Sequence, residues 1–325
     1  MRRARIKVAA EKGDAVYHCI SRTVNGERLL DDTAKEVLRQ QLWQVADFCG
    51  LKIVTYTVLS NHFHVLVRVP QTSPVPDQEL LRRYRVLYPH PTRHQTARLE
   101  VVQAQLDEGG PEAEAWRRRN LSLMNDVSAF MKLLKQRFTI WYNHAHARFG
   151  TLWAERFKSV LIEPHDRVLR TVAAYIDLNA VRAGLVRDPK DYRFCAYAEA
   201  VAGKVAARAG LSSVVPGRGW RGAHSAYRQL LFGHGSEARH EAAAIDPTEL
   251  GQVIAQGGNL PLSTVLRCRW RYFSDGAVLG SAAFVASHRH RLNRGAGLSP
   301  SPTLPPVTDW GALSALHRLN GAAWG

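Results

Sequence analysis

Two apolar runs separated by only two residues constrain the fold of this chain most. Residues 51–59 and 62–69 are rich in β-branched and aromatic side chains, and only Ser60 and Asn61 lie between them. This pattern predicts a β-hairpin. Pro70 ends the second strand, because proline cannot donate to a strand ladder. The sequence therefore predicts an antiparallel sheet.

The segments on either side of the hairpin alternate between strand and helix patterns. In chain order they are a strand at 15–22, a helix at 31–48, the hairpin, a helix at 121–147, a strand at 157–162 and a helix at 166–184. The order β-α-β-β-α-β-α is typical of a ferredoxin-like α+β fold. We expect an antiparallel sheet with helices on one face.

The chain divides further by composition. Residues 1–200 form the expected main domain, interrupted by a charged, mostly helical insert at 71–120. Residues 201–245 are rich in Ala, Gly and Arg and are predicted to be a linker. A mainly helical extension follows, made of a basic accessory region at 246–292 and a Pro-rich, largely flexible tail at 293–325.

The charge balance points to a polyanionic partner. Lys and Arg total 44 against 28 Asp and Glu, which gives a net charge of +16. Nucleic acid is the first candidate, and a basic composition without such a partner is the alternative. No run reaches the ~20 apolar residues of a membrane span. The four cysteines form no CxxC pair, so a reducing cytoplasm is the expected location. Within it, we expect the protein to associate with the nucleoid.

Two histidines alternate with a phenylalanine at the start of the second hairpin strand. Side chains alternate along a strand, so His62 and His64 share one face and Phe63 points to the other. The Phe63 face is wholly apolar and is predicted to be core. Two neighbouring imidazoles on a rigid strand can chelate one divalent ion. The alternative is a pair of ordinary surface histidines.

Two other His-x-His triplets are weaker candidates. The first, at residues 144–146, continues a predicted helix, where positions i and i+2 do not face each other. The second, at residues 288–290, encloses Arg289 in basic surroundings, which favours a solvated face or a phosphate contact.

A tyrosine and an asparagine lie one turn apart on the helix after the last strand. Tyr175 and Asn179 are at positions i and i+4 and therefore share a face. An amide oxygen is a suitable third ligand for a hard divalent ion, and a tyrosine beside a cation can attack a phosphodiester. Packing in the core is the alternative for Tyr175, and Tyr142 with His146 has the same spacing.

These segments together resemble a known family. The motifs are YHCISRTVNGERLL (17–30), YTVLSN followed by His-Phe-His (56–64), GTLWAERFKS (150–159), YIDLNAVRAGLV (175–186) and DYRFCAY (191–197). They are similar to those of the IS200-like Y1 transposases, and most similar to the REP-associated tyrosine transposases, a branch of the HUH nucleases. The resemblance covers roughly residues 14–200. Ala180 differs from the Pro of many relatives.

The resemblance implies a metal-dependent Y1 transposase. His62 and His64 would hold Mg²⁺ or Mn²⁺, with Asn179 at the third ligand position. Tyr175 would attack single-stranded or hairpin DNA, leaving a 5′-phosphotyrosine and a free 3′-hydroxyl. Relatives act as monomers or homodimers, and no membrane partner is implied.

Several cations are candidate DNA contacts. Arg156 and Lys158 alternate along the last predicted strand, and Arg22 ends the first. Three further arginines alternate with aromatic residues, a pattern that suits phosphate pairing and base stacking, although the aromatics can equally serve packing: Arg267, Arg269 and Arg271. The alternatives to a transposase are a catalytically silent nucleic-acid-binding descendant and a phosphodiesterase that uses water.

Overall fold

The computed structural model describes residues 6, 8, 13–71, 74–89, 98–215, 217–232, 276–292 and 314–317. Its centre is a sheet of six strands in the order β2-β3-β1-β4-β5-β6. The strands are β1 (Ala15–Arg22), β2 (Lys52–Val58), β3 (His62–Val69), β4 (Lys158–Ile162), β5 (Gly276–Gly280) and β6 (Ser314–His317).

The first four strands form the predicted antiparallel unit. Their order, β2-β3-β1-β4, is that of a ferredoxin-like sheet, and the β2–β3 hairpin lies where its sequence predicted. The α+β class is therefore confirmed. The sheet as a whole is mixed, because β5 runs parallel to β4.

Eleven helices surround the sheet in the described part of the chain. They are α1 (Asp32–Cys49), α2 (Asp77–Leu87), α3 (Leu99–Glu108), α4 (Pro111–Leu121), α5 (Val127–Ala145), α6 (Asp166–Asp177), α7 (Asn179–Arg182), α8 (Ala196–Val201), α9 (Val205–Ser212), α10 (Gly219–Phe232) and α11 (Ala282–Leu292). Helix α1 lies where its pattern predicted. The Asp31 side chain accepts from Ala34 N at its start, and Gly50 adopts φ +69° after its last residue.

The helices cover both faces of the sheet, which corrects the expectation of a single covered face. Tyr56 meets Trp43 of α1, with ring centroids 6.1 Å apart. On the opposite face, Thr57 Oγ1 donates to the carbonyl of Ile176 in α6 at 2.8 Å. The sequence pattern missed this second layer because the face that carries His62 and His64 also carries polar groups whose partners lie on α6.

The region after residue 200 differs from the predicted linker. Helices α9 and α10 occupy much of its first part, and α9 packs on β2. Tyr227 and Leu231 of α10 are buried, because α10 packs against α9 and α6. Farther on, β5 and β6 extend the sheet and α11 lies between them in sequence, so the described extension is mainly helical with two added strands.

Within 71–120, the described residues form the three helices α2 to α4. Arg117 of α4 forms ion pairs with Asp77 of α2 and with Glu114 of its own helix. Among the described residues, no helix has the length and apolar character needed to cross a membrane. Cys19, Cys49 and Cys195 are buried free thiols, and Cys268 lies outside the described residues.

Candidate active site

Three elements bring the candidate site together: strands β1 and β3 and helix α6. The ring of Tyr175 lies 6.3 Å, centroid to centroid, from the rings of both His64 and His18. The structure therefore separates the two tyrosine candidates. Tyr142 lies on α5, and its hydroxyl donates to the Leu29 carbonyl at 2.9 Å.

The two histidines of β3 stand side by side as their alternation predicted. Their ring centroids are 5.1 Å apart and the rings are almost perpendicular. His64 is only 4% exposed, because α6 lies over it. His64 is therefore buried and is not an ordinary surface histidine.

Burial decides the protonation of His64. It lowers the pKa of this imidazole well below its usual value, and the nearby His18, His62, Arg182 and Arg22 lower it further. Desolvation disfavours the charged imidazolium. His64 is therefore neutral near pH 7, which is the form that binds a metal ion.

An asparagine orients the first histidine. Asn61 donates from Nδ2 to the carbonyl of Gly26 at 3.0 Å, and its Oδ1 lies 2.6 Å from Nδ1 of His62. Since an amide oxygen only accepts, the ring proton of His62 lies on Nδ1. In the neutral ring, the Nε2 atom then carries the lone pair.

Asn179 lies at the start of α7, one turn beyond Tyr175. Leu178 separates α6 from α7 within the helix predicted to run unbroken to Gly184. The Asn179 side chain is 8% exposed, and its Nδ2 donates to the carbonyls of Tyr175 and Ile176 at 3.3 and 3.1 Å. With the amino group held by the backbone, Oδ1 is the atom left for a ligand.

Two residues of the site were missed from the sequence. His18 lies on β1, and its Nε2 is 2.9 Å from Nδ1 of His64. Arg182 places its guanidinium 4.2 Å from the centroid of the Tyr175 ring and donates to the Tyr175 carbonyl. The sequence held two indications of these residues. His18 alternates with Ile20 and Arg22 along β1, and Arg182 lies two helical turns after Tyr175.

The candidate DNA contacts divide into three groups. Arg22 is the Cα partner of His62, and Lys158 pairs with Ile20, which pairs in turn with His64. These two cations therefore lie on the histidine face. Arg156 is exposed but precedes β4, so strand alternation does not set its direction. The three arginines at 267, 269 and 271 lie outside the described residues.

The other His-x-His triplets lie apart from the site. His144 is in the last turn of α5, and His146 caps that helix and stacks on Tyr142 at 4.1 Å. His288 is on α11, with Nδ1 3.0 Å from the Phe284 carbonyl oxygen.

The donor set fits a divalent ion. The described residues contain no group of three or more His, Cys, Asp or Glu side chains suited to a metal. The candidate ligands are the two imidazoles of His62 and His64 and the amide oxygen of Asn179. Neutral imidazole and amide oxygen are both ordinary ligands of divalent ions. Such a set leaves the charge of the ion uncancelled and suited to a phosphate.

A family model matches the region that carries the first motifs of the resemblance. Residues 12–78 match the family model described as "Transposase IS200 like". This match confirms the resemblance over β1, α1, the hairpin and the two histidines. A solved structure of a REP-associated tyrosine transposase bound to a REP hairpin is similar at 16% identity, covering 67% of this chain and 92% of that chain with a TM-score of 0.40. None of the curated proteins matches the chain.

Proposed function

We propose that this protein is a DNA transposase that cuts and rejoins single-stranded DNA at hairpin elements. The observation that carries the proposal is the contact between Tyr175 and His64, which places a hydroxyl-bearing ring against the histidine pair. The family match over residues 12–78 supports the transposase class.

The reaction is a transesterification. The Tyr175 hydroxyl loses its proton as its oxygen attacks the phosphorus. The bond from phosphorus to the 3′-oxygen breaks, and the 3′-oxygen takes up a proton and leaves as a hydroxyl. The product is a 5′-phosphotyrosine, so the phosphodiester energy is retained and a 3′-hydroxyl can reverse the step without ATP.

The chain's own residues bind and orient the reacting groups. A divalent ion held by His62, His64 and Asn179 would polarise the scissile phosphate. Arg182 packs over the Tyr175 ring and orders the backbone around it, and Arg22 and Lys158 offer cations to the DNA backbone on the same face. Tyr175 is only 3% exposed, so the incoming strand must displace neighbouring side chains to reach it.

A covalent-adduct assay tests the nucleophile. Purified protein, a panel of labelled single-stranded DNA hairpins and Mn²⁺ are combined and run on a denaturing gel. We expect a shifted band that disappears with EDTA and in Tyr175→Phe and His64→Ala. Tyr142→Phe is the matched control, because that hydroxyl lies on another helix, and it should keep the band.

The other outcomes each favour one alternative. Cleavage without a shifted band, retained in Tyr175→Phe, would establish water as the nucleophile and a phosphodiesterase. Hairpin binding without cleavage across the panel would favour a catalytically silent nucleic-acid-binding protein.

A further inference from the structure

The two histidines of β3 each have a neighbour at the same ring atom. Asn61 Oδ1 lies 2.6 Å from Nδ1 of His62, and His18 Nε2 lies 2.9 Å from Nδ1 of His64. In both rings Nδ1 is therefore engaged by the protein, and Nε2 is the atom on the other side of the ring. The matching contacts indicate that Asn61 and His18 have the same role toward the two imidazoles.

We propose that Asn61 and His18 are positioning residues that hold His62 and His64 with the proton on Nδ1, so that both rings present Nε2 to a divalent ion. The inference rests on the proposed function, because that function supplies the ion. Neither residue touches DNA or the ion in this arrangement; each acts through the ring beside it.

Hydrogen bonds with the turn after β1 set the orientation of Asn61. Its amino group donates to the Gly26 carbonyl, which orients the amide oxygen toward His62. Gly26 adopts φ +70° in the turn after β1, and Thr23 N donates to the Asn61 carbonyl at 2.9 Å. The β1 turn thus holds Asn61 from both its backbone and its side chain.

The His18 half follows from strand register. Ile20 lies opposite His64 on the neighbouring strand, and His18 lies two residues along on the same face. Such diagonal neighbours are within reach of long or aromatic side chains. His18 is fully buried, so a histidine here is costly unless its ring nitrogens are used. Accepting the Nδ1 proton of His64 is a use that an apolar residue could not perform.

Ring nitrogens can be read directly by nuclear magnetic resonance. Long-range ¹H–¹⁵N spectra of the metal-free full chain, recorded where both imidazoles are neutral, distinguish a protonated Nδ1 from a protonated Nε2. We expect the Nδ1-protonated form at His62 and His64. Added Mn²⁺ should broaden both rings first, and electron paramagnetic resonance of the free ion then gives the affinity.

Four variants separate positioning from mere packing. His18→Phe fills the space without an acceptor, and we expect mixed ring forms at His64 and a 10- to 100-fold weaker Mn²⁺ affinity, the usual effect of losing such a partner. His18→Gln restores an acceptor and should recover most of the affinity. Asn61→Leu should have the same effect on His62. His146→Phe, a histidine exchange away from the site, should change neither readout.

Each result decides the inference. Protonated Nε2 in either wild-type ring, no broadening of these rings by Mn²⁺, or a His18→Phe affinity within twofold of wild type would overturn it. A loss in His18→Phe that Gln does not restore would show packing alone. If the ring forms and affinities follow expectation but no DNA adduct forms, the proposed transposase fails while the positioning role stands.

Discussion

At the scale of single residues, the site depends on the position of ring atoms. Burial keeps the His64 imidazole neutral, which is the form that the proposed metal site requires. The ring of Tyr175 has the imidazole of His64 and the guanidinium of Arg182 as neighbours. A cation over an aromatic face is attracted by the ring quadrupole. Arg182 therefore holds the Tyr175 ring, and its positive charge lies beside the residue that the proposed reaction uses as the nucleophile.

Replacing Arg182 should slow adduct formation. Arg182→Ala removes both the contact with the ring and the hydrogen bond to the Tyr175 carbonyl, and we expect about 10- to 100-fold slower single-turnover formation of the covalent band. Arg182→Lys keeps the charge but loses the planar fork and should be intermediate. Arg187→Ala, an exposed cation nearby in sequence, is the control. A wild-type rate in Arg182→Ala would remove Arg182 from the mechanism.

At the scale of elements, α6 is anchored from below by a buried carboxyl. Asp177 is fully buried, accepts from Thr55 Oγ1 of β2 at 2.6 Å, and also accepts from the Tyr227 hydroxyl of α10. Burial raises the pKa of Asp177 to about 7, although the hydrogen bonds from Thr55 and Tyr227 oppose the shift. One carboxyl thus links α6 to the sheet and to α10.

This carboxyl should make stability depend on pH. The pKa is near 3.8 in the unfolded chain and about 7 when folded, so the folded state binds the extra proton between these values. The stabilisation of the folded state by protonated Asp177 is fully present below pH 4 and is lost as the pH rises toward 7. We expect the free energy of urea unfolding to fall by on the order of 1–4 kcal/mol across that window relative to Asp177→Asn. The same slope in both proteins would contradict the assignment, and Asp166→Asn, on the exposed start of α6, is the control.

A glycine sets how closely α9 approaches the sheet. A Cβ added to Gly210 of α9 would lie 2.3 Å from the carbonyl oxygen of Ile53 and 2.8 Å from that of Val54. Alanine gains about 1 kcal/mol of helix propensity, but these backbone atoms cannot move aside cheaply. We expect Gly210→Ala to lower the free energy of unfolding by about 1–3 kcal/mol, measured in urea. Ala209→Ser on the exposed side of the helix should cost under about 0.5 kcal/mol, and a more stable Gly210→Ala would refute the close approach.

At the scale of the whole molecule, the local patterns and the four-strand unit were predicted correctly, whereas contacts between distant side chains and the packing of α9 and α10 were not. The α1 ends, the hairpin and the position of Tyr175 follow from spacing within a few residues. His18 was missed because its contact with His64 depends on how β1 and β3 align, across 46 residues of chain. The packing of α9 and α10 was missed for the same reason: an Ala- and Gly-rich segment shows a weak helical pattern until a sheet surface is present for it to cover.

The net charge of +16 can attract DNA through the field of the whole molecule or through the cations of the histidine face. The salt dependence of DNA affinity distinguishes the two. Each phosphate neutralised by a cation adds about 0.7 to the slope of log affinity against log salt for a single strand, and about 0.9 for a duplex. Arg22 and Lys158 lie on the histidine face beside the rows of His62 and His64. Arg118 is an exposed cation of equal charge in the insert, on α4.

We therefore expect Arg22→Ala and Lys158→Ala each to lower that slope by about 0.7–0.9, measured by anisotropy with a labelled single-stranded hairpin. Arg118→Ala removes the same unit of net charge and should leave the slope unchanged. Equal losses in all three variants would mean that the overall field, rather than the histidine face, holds the DNA. Each variant lowers the net charge from +16 to +15. Any difference among them therefore reports only the position of the lost charge.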